Sequence, residues 1–169
     1  NNIYITGMSG AVSDYGTIKY NSYGEEQWVK FYENGKWDIA EAIAVDAEKN
    51  VYVTGYSQAY GSNNNTGSDF CTIKYDEDGI QDWANRFSSV NSSTGIFTGD
   101  DAKAIVVDNN GDIIVTGTVQ QTSEEIGTIK YDSTGQTIWQ KIFTNPEGYY
   151  KSGPVAMQTD AENSIYITG

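Results

Sequence analysis

Residues 72–83 read Thr72-Ile73-Lys74-Tyr75-Asp76-Glu77-Asp78-Gly79-Ile80-Gln81-Asp82-Trp83. The pattern occurs three times. Thr17-Ile18-Lys19-Tyr20 leads to Gly24 and Trp28, and Thr128-Ile129-Lys130-Tyr131 leads to Gly135 and Trp139, at the same spacings. A β-branched run, a short polar link ending in Gly, and a second β-type run read as a hairpin. Gly at that place suits a turn residue with φ > 0. Recurrence of one hairpin points to a repeat architecture.

Upstream of each hairpin stands a second block. Ile3-Tyr4-Ile5-Thr6-Gly7 returns as Val51-Tyr52-Val53-Thr54-Gly55, as Ile113-Ile114-Val115-Thr116-Gly117 and as Ile165-Tyr166-Ile167-Thr168-Gly169. Asp46, Asp108 and Asp160 precede three of these at a fixed distance. Each period therefore reads as four strands, a to d. In the middle copy strand a is about Ala40–Asp46, b is Val51–Gly55, c is about Phe70–Asp76 and d is about Gln81–Phe87. No window carries a helical period over three turns. Four antiparallel strands in a period of about 50 residues is the pattern of a β-propeller blade. Such a small sheet buries both faces only by stacking on neighbours. Trp28, Trp83 and Trp139 are expected to fill the wedge between twisted sheets.

The fold class is thus all-β, with about three propeller blades. They are placed at 1–31 (strands b-c-d), 38–87 (a-b-c-d), 100–143 (a-b-c-d) and 152–169 (a-b). Rings of this kind close with roughly 4–8 blades. The expectation is a segment of a longer chain, with the remaining blades of that chain or a second copy needed to close the ring. The sequence does not start with Met and shows no secretory apolar region at its start.

The pattern A-x-A-x-V-D-x(4)-[VI]-Y-[VI]-T-G, followed by T-I-K-Y-[DN]-x-x-G-x-x-x-W, resembles the bacterial SBBP-type β-propeller repeat. It is carried by Ala42–Gly55 and Thr72–Trp83. It differs from WD40, because Trp28, Trp83 and Trp139 precede Val29, Ala84 and Gln140 rather than Asp. It also lacks the Gly-Gly pair of kelch repeats. Pro154-Val155-Ala156-Met157 departs from the usual start of strand a. The resemblance implies a secreted or surface-exposed bacterial protein and supplies no reaction.

Composition removes whole classes of chemistry. Among 169 residues there is no His and one Cys, Cys71. A Ser-His-Asp triad, a His-ligated metal and an intrachain disulfide are therefore excluded. With 10 Lys+Arg against 23 Asp+Glu the net charge is −13, opposite in sign to a nucleic-acid binder. No apolar run reaches the length of a membrane span. No cofactor and no metal are expected. Asp108-Asn109-Asn110-Gly111-Asp112 approaches a calcium loop, but its Gly is one place early and no Glu closes it. The recurring Asp reads instead as a side-chain cap on the a–b hairpin. Lys19, Lys74 and Lys130 read as structural, with the stem along apolar surface and the head at a carboxylate. Cys71 reads as a small buried thiol.

Antiparallel order puts the a–b and c–d links on one face of the disc and the b–c and d–a links on the other. The second set is expanded in the middle unit, from Tyr56 to Asp69 and from Ser88 to Asp101. Loops on a rigid scaffold carry recognition. The candidate ligand-binding residues are Tyr56, Tyr60, Asn63, Asn64, Asn65, Phe97, Asp100 and Asp101. Asp14, Asp69, Glu125, Asp38 and Asp100 either make that face acidic or bond the backbone at strand starts. The expected function is a non-catalytic extracellular scaffold or protein-interaction module at the bacterial cell surface. The alternative is a carbohydrate-binding propeller, with protein or glycan as partner. A segment of a propeller hydrolase or lyase ranks below both.

Overall fold

The computed structural model describes residues 2–10, 13–59, 67–89, 99–120, 124–144 and 153–169. These form strands β1 (Ile3–Ser9), β2 (Asp14–Tyr20), β3 (Glu26–Tyr32), β4 (Gly35–Val45), β5 (Val51–Ala59), β6 (Asp69–Tyr75) and β7 (Gln81–Phe87). They continue as β8 (Asp101–Val107), β9 (Ile113–Gln120), β10 (Glu124–Tyr131), β11 (Thr137–Phe143), β12 (Ala156–Thr159) and β13 (Ile165–Thr168). Four sheets result, in the orders β1-β2-β3, β4-β5-β6-β7, β8-β9-β10-β11 and β12-β13. All pairings are antiparallel between consecutive strands. The two four-stranded sheets are propeller blades in the a-b-c-d order expected from the repeat.

Neighbouring sheets stack face to face. Strand a of one blade lies beside strand a of the next, β4 against β8 and β8 against β12. Alternation along each strand supplies an apolar set to both faces. Tyr15 of β2 packs with Ala40, Val51, Val53, Cys71, Ile73 and Tyr75 of the second sheet. The other face of that sheet offers Tyr52 and Phe70 to Ala102, Ile105, Ile113, Val115, Ile129 and Tyr131. Trp28 lies 6.1 Å from Tyr75 and Trp83 lies 6.2 Å from Tyr131, each ring on the neighbouring blade. Trp28 and Trp83 thus take the expected wedge role.

A polar clasp accompanies Trp28 and Trp83. Lys19 Nζ and Trp28 Nε1 both donate to the carbonyl of Glu77, at 2.7 and 3.1 Å. Lys74 Nζ and Trp83 Nε1 both donate to the carbonyl of Ser133, at 3.5 and 3.3 Å. The acceptor is each time the second residue of the next blade's c–d turn. The repeated Lys also meets a carboxylate, Asp82 at 3.0 Å for Lys74 and Asp108 at 2.7 Å for Lys130. In the first blade alone the nearest partner is a turn carbonyl, with the Glu77 carboxylate 4.0 Å from Lys19 Nζ, which spacing alone did not indicate.

The turns are built alike. Asn21, Asp76 and Asp132 accept two backbone N–H bonds each through Oδ1. Asp108 and Asp160 do the same in the a–b turns, while Asp46 accepts the N–H of Asn50. These are the expected side-chain caps. The fourth turn residue has positive φ, as Gly24, Gly79, Gly111 and Gly135 or as Lys49 and Asn163. Gly79 and Gly135 meet a second demand. A Cβ there would lie 2.9 Å from the indole of Trp28 or Trp83.

The strands differ in length from the sequence reading. β5 continues to Ala59, four residues past Gly55, and β4 starts at Gly35. The extension of β5 is paired with β4 and β6, so its backbone groups are satisfied by a ladder rather than by a loop. A bulge between Ala40 and Ala42 brings β4 against Gly55, where a Cβ would sit 2.0 Å from the carbonyl oxygen of Ile39.

Two predictions follow from the packing. Gly111→Ala, with φ near +79° and open space at the Cβ, should lose about 1 kcal/mol from left-handed strain alone. Gly135→Ala should lose at least 1 kcal/mol more, because the Cβ must also displace the Trp83 ring. Urea midpoints of the two variants compare them; equal losses would show that the turn does not seat on the ring. Burial pushes the Cys71 thiol up to about 12, so the native protein should resist a thiol reagent at pH 8. Full reaction should appear only across the unfolding transition.

Candidate functional site

The two expanded connections do emerge side by side. The Asp100 N–H donates to the Ser68 carbonyl at 2.7 Å, joining the end of the d–a link to the end of the b–c link. The first blade has the same tie, from the Asp38 N–H to the Ser13 carbonyl at 2.6 Å. On the opposite face Lys49 of an a–b turn meets Glu77 of a c–d turn at 2.6 Å. The division of links between two faces is therefore as expected.

Three of the eight candidate residues are described. Tyr56 is a strand residue of β5, paired with Ile39 and Phe70. Asp101 opens β8, and its Oδ2 holds Lys103 at 2.6 Å, while Lys103 also reaches Glu41 at 3.1 Å. Burial, then the charges of Asp101 and Glu41, hold the Tyr56 hydroxyl above its ordinary range. Tyr56, Glu41, Asp101 and Lys103 thus form one patch spanning two blades. Burial raises the Asp101 carboxyl, against the pull of Lys103. Tyr60, Asn63, Asn64, Asn65 and Phe97 lie outside the described residues.

Asp100 is fully buried, and its role is architectural. Its carboxylate accepts the Ser89 N–H at 2.5 Å, the Ser89 hydroxyl at 2.7 Å and the Gln120 N–H at 3.0 Å. Burial still raises its carboxyl, the three donors opposing. Asp38 is buried likewise and accepts the Asn34 N–H at 2.7 Å. For Asp38 and Asp100, of the two readings, backbone bonding at strand starts is the one the geometry carries.

Asp69 is held by Arg86. Nη2 lies 2.7 Å from Asp69 Oδ2, while Nη1 and Nη2 donate to the hydroxyl and carbonyl of Ser57, each at 2.7 Å. This guanidinium ties the end of β5 to the start of β6, the two feet of the longest b–c link. The corresponding positions are Phe31 and Ile142, facing Gly16 and Gly127 as Arg86 faces Cys71. Sequence reasoning passed over Arg86. The departure from an apolar residue at that repeat position was the available signal.

Open grooves also lie on the other face. One of about 420 Å³ runs between the a–b turns of neighbouring blades, lined by Asp46, Glu48, Asp108 and Asn109 among others. Another of about 610 Å³ is lined by Asn2, Tyr4, Val45 and Lys49. Among the described residues no three acidic or thiol side chains converge as a metal site would require.

No protein-family model matches the chain. It is similar to an uncharacterized WD repeat-containing protein of Acanthamoeba polyphaga mimivirus, at 29% identity over 174 residues. The alignment takes in 95% of the chain, which spans 11% of that relative's length. Fold and likeness agree on one statement: the chain is built of β-propeller-type repeats.

Proposed function

We propose that the chain is a non-catalytic protein-interaction module whose recognition face is formed by the b–c and d–a links of the middle blade. The observation that carries this is the Asp100–Ser68 tie, which sets both expanded connections on one rim. Rigid sheets below hold the feet of these loops in place, which lowers the ordering cost of binding. The partner presents a basic or mixed surface, because Glu41 and Asp101 approach the rim and the chain carries a net charge of −13. The relative's name speaks of WD repeats, a scaffold type used for protein contacts, which favours this reading over catalysis. The extracellular placement in this reading rests on the SBBP-like repeat pattern of Ala42–Gly55 and Thr72–Trp83.

Quantitative co-purification tests the face. A variant with 60–67 and 90–98 replaced by short Gly-Ser links should lose its partner, while Lys49→Ala with Asn109→Ala, on the opposite face, should retain it. The reverse pattern would move recognition to the a–b turns. Binding should also weaken several-fold between low and high salt if the acidic rim steers it.

A further inference from the structure

The a–b turns of neighbouring blades meet in two different ways. Where β8–β9 adjoins β12–β13, Asn109 joins the two turns. Its N–H donates to Asn163 Oδ1 at 3.0 Å, and its Nδ2 donates to the Ala161 carbonyl at 3.1 Å. Asn109 is the second residue of its turn, and Asn163 is the fourth residue of the next. Two carboxamides thus bridge the seam. One takes a backbone N–H and the other reaches a backbone carbonyl.

At the seam between the two four-stranded blades both carboxamides are missing. The second turn residue is Ala47, and the fourth residue of the turn opposite is Gly111. Nothing lies within 4 Å of where a Cβ on Gly111 would stand. The repeat assigns the bridging roles here to the Ala47 N–H and the Asn109 carbonyl. Among the described residues no acceptor meets the first and no donor meets the second. The clasp of this seam is longer too. Lys74 and Trp83 reach the Ser133 carbonyl at 3.5 and 3.3 Å, where Lys19 and Trp28 reach that of Glu77 at 2.7 and 3.1 Å. What remains between the turns is the groove of about 420 Å³, lined by Val45 and Val107 as well as by polar groups.

We propose that this groove takes a side-chain carboxamide, an Asn or Gln carried by an extended segment of a partner protein. Its oxygen accepts the Ala47 N–H and its nitrogen donates to the Asn109 carbonyl, the two bonds that Asn163 and Asn109 supply at the next seam. A carboxylate has no donor for that carbonyl, and Asp46 and Glu48 in the lining repel it. An ammonium or guanidinium has no acceptor for the N–H. Val45 and Val107 receive the methylenes of the incoming side chain. Two exposed hydrogen bonds hold a free amide weakly, so the rest of the segment supplies the remaining affinity. The site lies on the face opposite the rim proposed above and stands or falls separately from it.

Amide NMR of the isotope-labelled chain tests this, with end-blocked Gly-Gln-Gly as the probe and Gly-Glu-Gly and Gly-Met-Gly as comparisons. The amide of residue 47 should shift saturably with the Gln peptide. The other two should bind about tenfold more weakly, as the loss of one hydrogen bond implies. Ala47→Asn combined with Gly111→Asn rebuilds the bridge from within, and Asn163 already holds a φ of 63° at the place of Gly111. That variant should unfold at higher urea and lose the response to the probe. If it fails to fold, Gly111→Asn alone, which covers only the residue 47 N–H, should still weaken the probe. No saturable shift with the Gln peptide, equal binding of either comparison peptide, or a response that survives in the filled variant overturns the proposal. Free acetamide binding as tightly as the Gln peptide overturns the assignment to a partner segment.

Discussion

Everything in this molecule depends on the covering of sheets that are apolar on both faces. A four-stranded sheet with Val51, Val53 and Ile73 on one side and Tyr52, Phe70 and Trp83 on the other has no stable solution as a single layer. Each blade is stabilised by what its neighbours remove from water. Trp and Lys add direction to this non-directional force. Their shared acceptor, one carbonyl at a turn apex, fixes how far each blade slides past the next. Each such bond contributes about 1 kcal/mol, and more when the donor is charged. The Trp–Tyr contact contributes about the same beyond its area. Register between blades therefore rests on a few polar atoms within a large apolar surface.

The same dependence explains two residue choices that look like turn chemistry alone. Gly79 and Gly135 need positive φ, yet Lys49 and Asn163 reach positive φ with a side chain in the a–b turns. What separates them is the indole beneath the c–d turn, which excludes a Cβ. The Asp that opens each a–b turn has its own division of labour. One oxygen collects backbone N–H groups. The other takes a Tyr hydroxyl, Tyr52 for Asp46 and Tyr166 for Asp160, at 3.0 and 2.8 Å. Ile114 stands where that Tyr would be in the third blade, and Lys130 takes the Asp108 oxygen in its place.

The repeat made the strands, turns, wedge residues and division of loops legible, because each is an i-to-i+n relation that periodicity exposes. What it left hidden depends on geometry between units. β5 runs to Ala59 because β4 and β6 are there to pair with it, and neither neighbour leaves a mark on residues 56–59 themselves. Tyr56 read as loop for that reason. Asp100 read as a surface acid because its three donors, Ser89 twice and Gln120 once, come from segments 11 and 20 residues away. In the sequence Asp38 leaves both an acidic-face and a backbone-bonding role open, and its full burial decides between them.

In a repeat protein the departures are informative, because the scaffold needs only the consensus. Here they gather in one place. Arg86 stands where the other blades have Phe31 and Ile142, and Cys71 where they have Gly16 and Gly127. The pair face each other across β6 and β7, directly beneath the feet of the longest b–c link. Cys71 fills space that Tyr15 and Tyr32 close over, the Tyr15 hydroxyl donating to its carbonyl at 3.1 Å. Arg86 then uses three donors to hold Ser57 and Asp69 together. A half-buried guanidinium is costly unless well bonded, and the first and third blades stack without one at this position. Its placement braces the two feet of that link, which ties the residues that depart from the repeat within the sheet to the connection that departs from it in length.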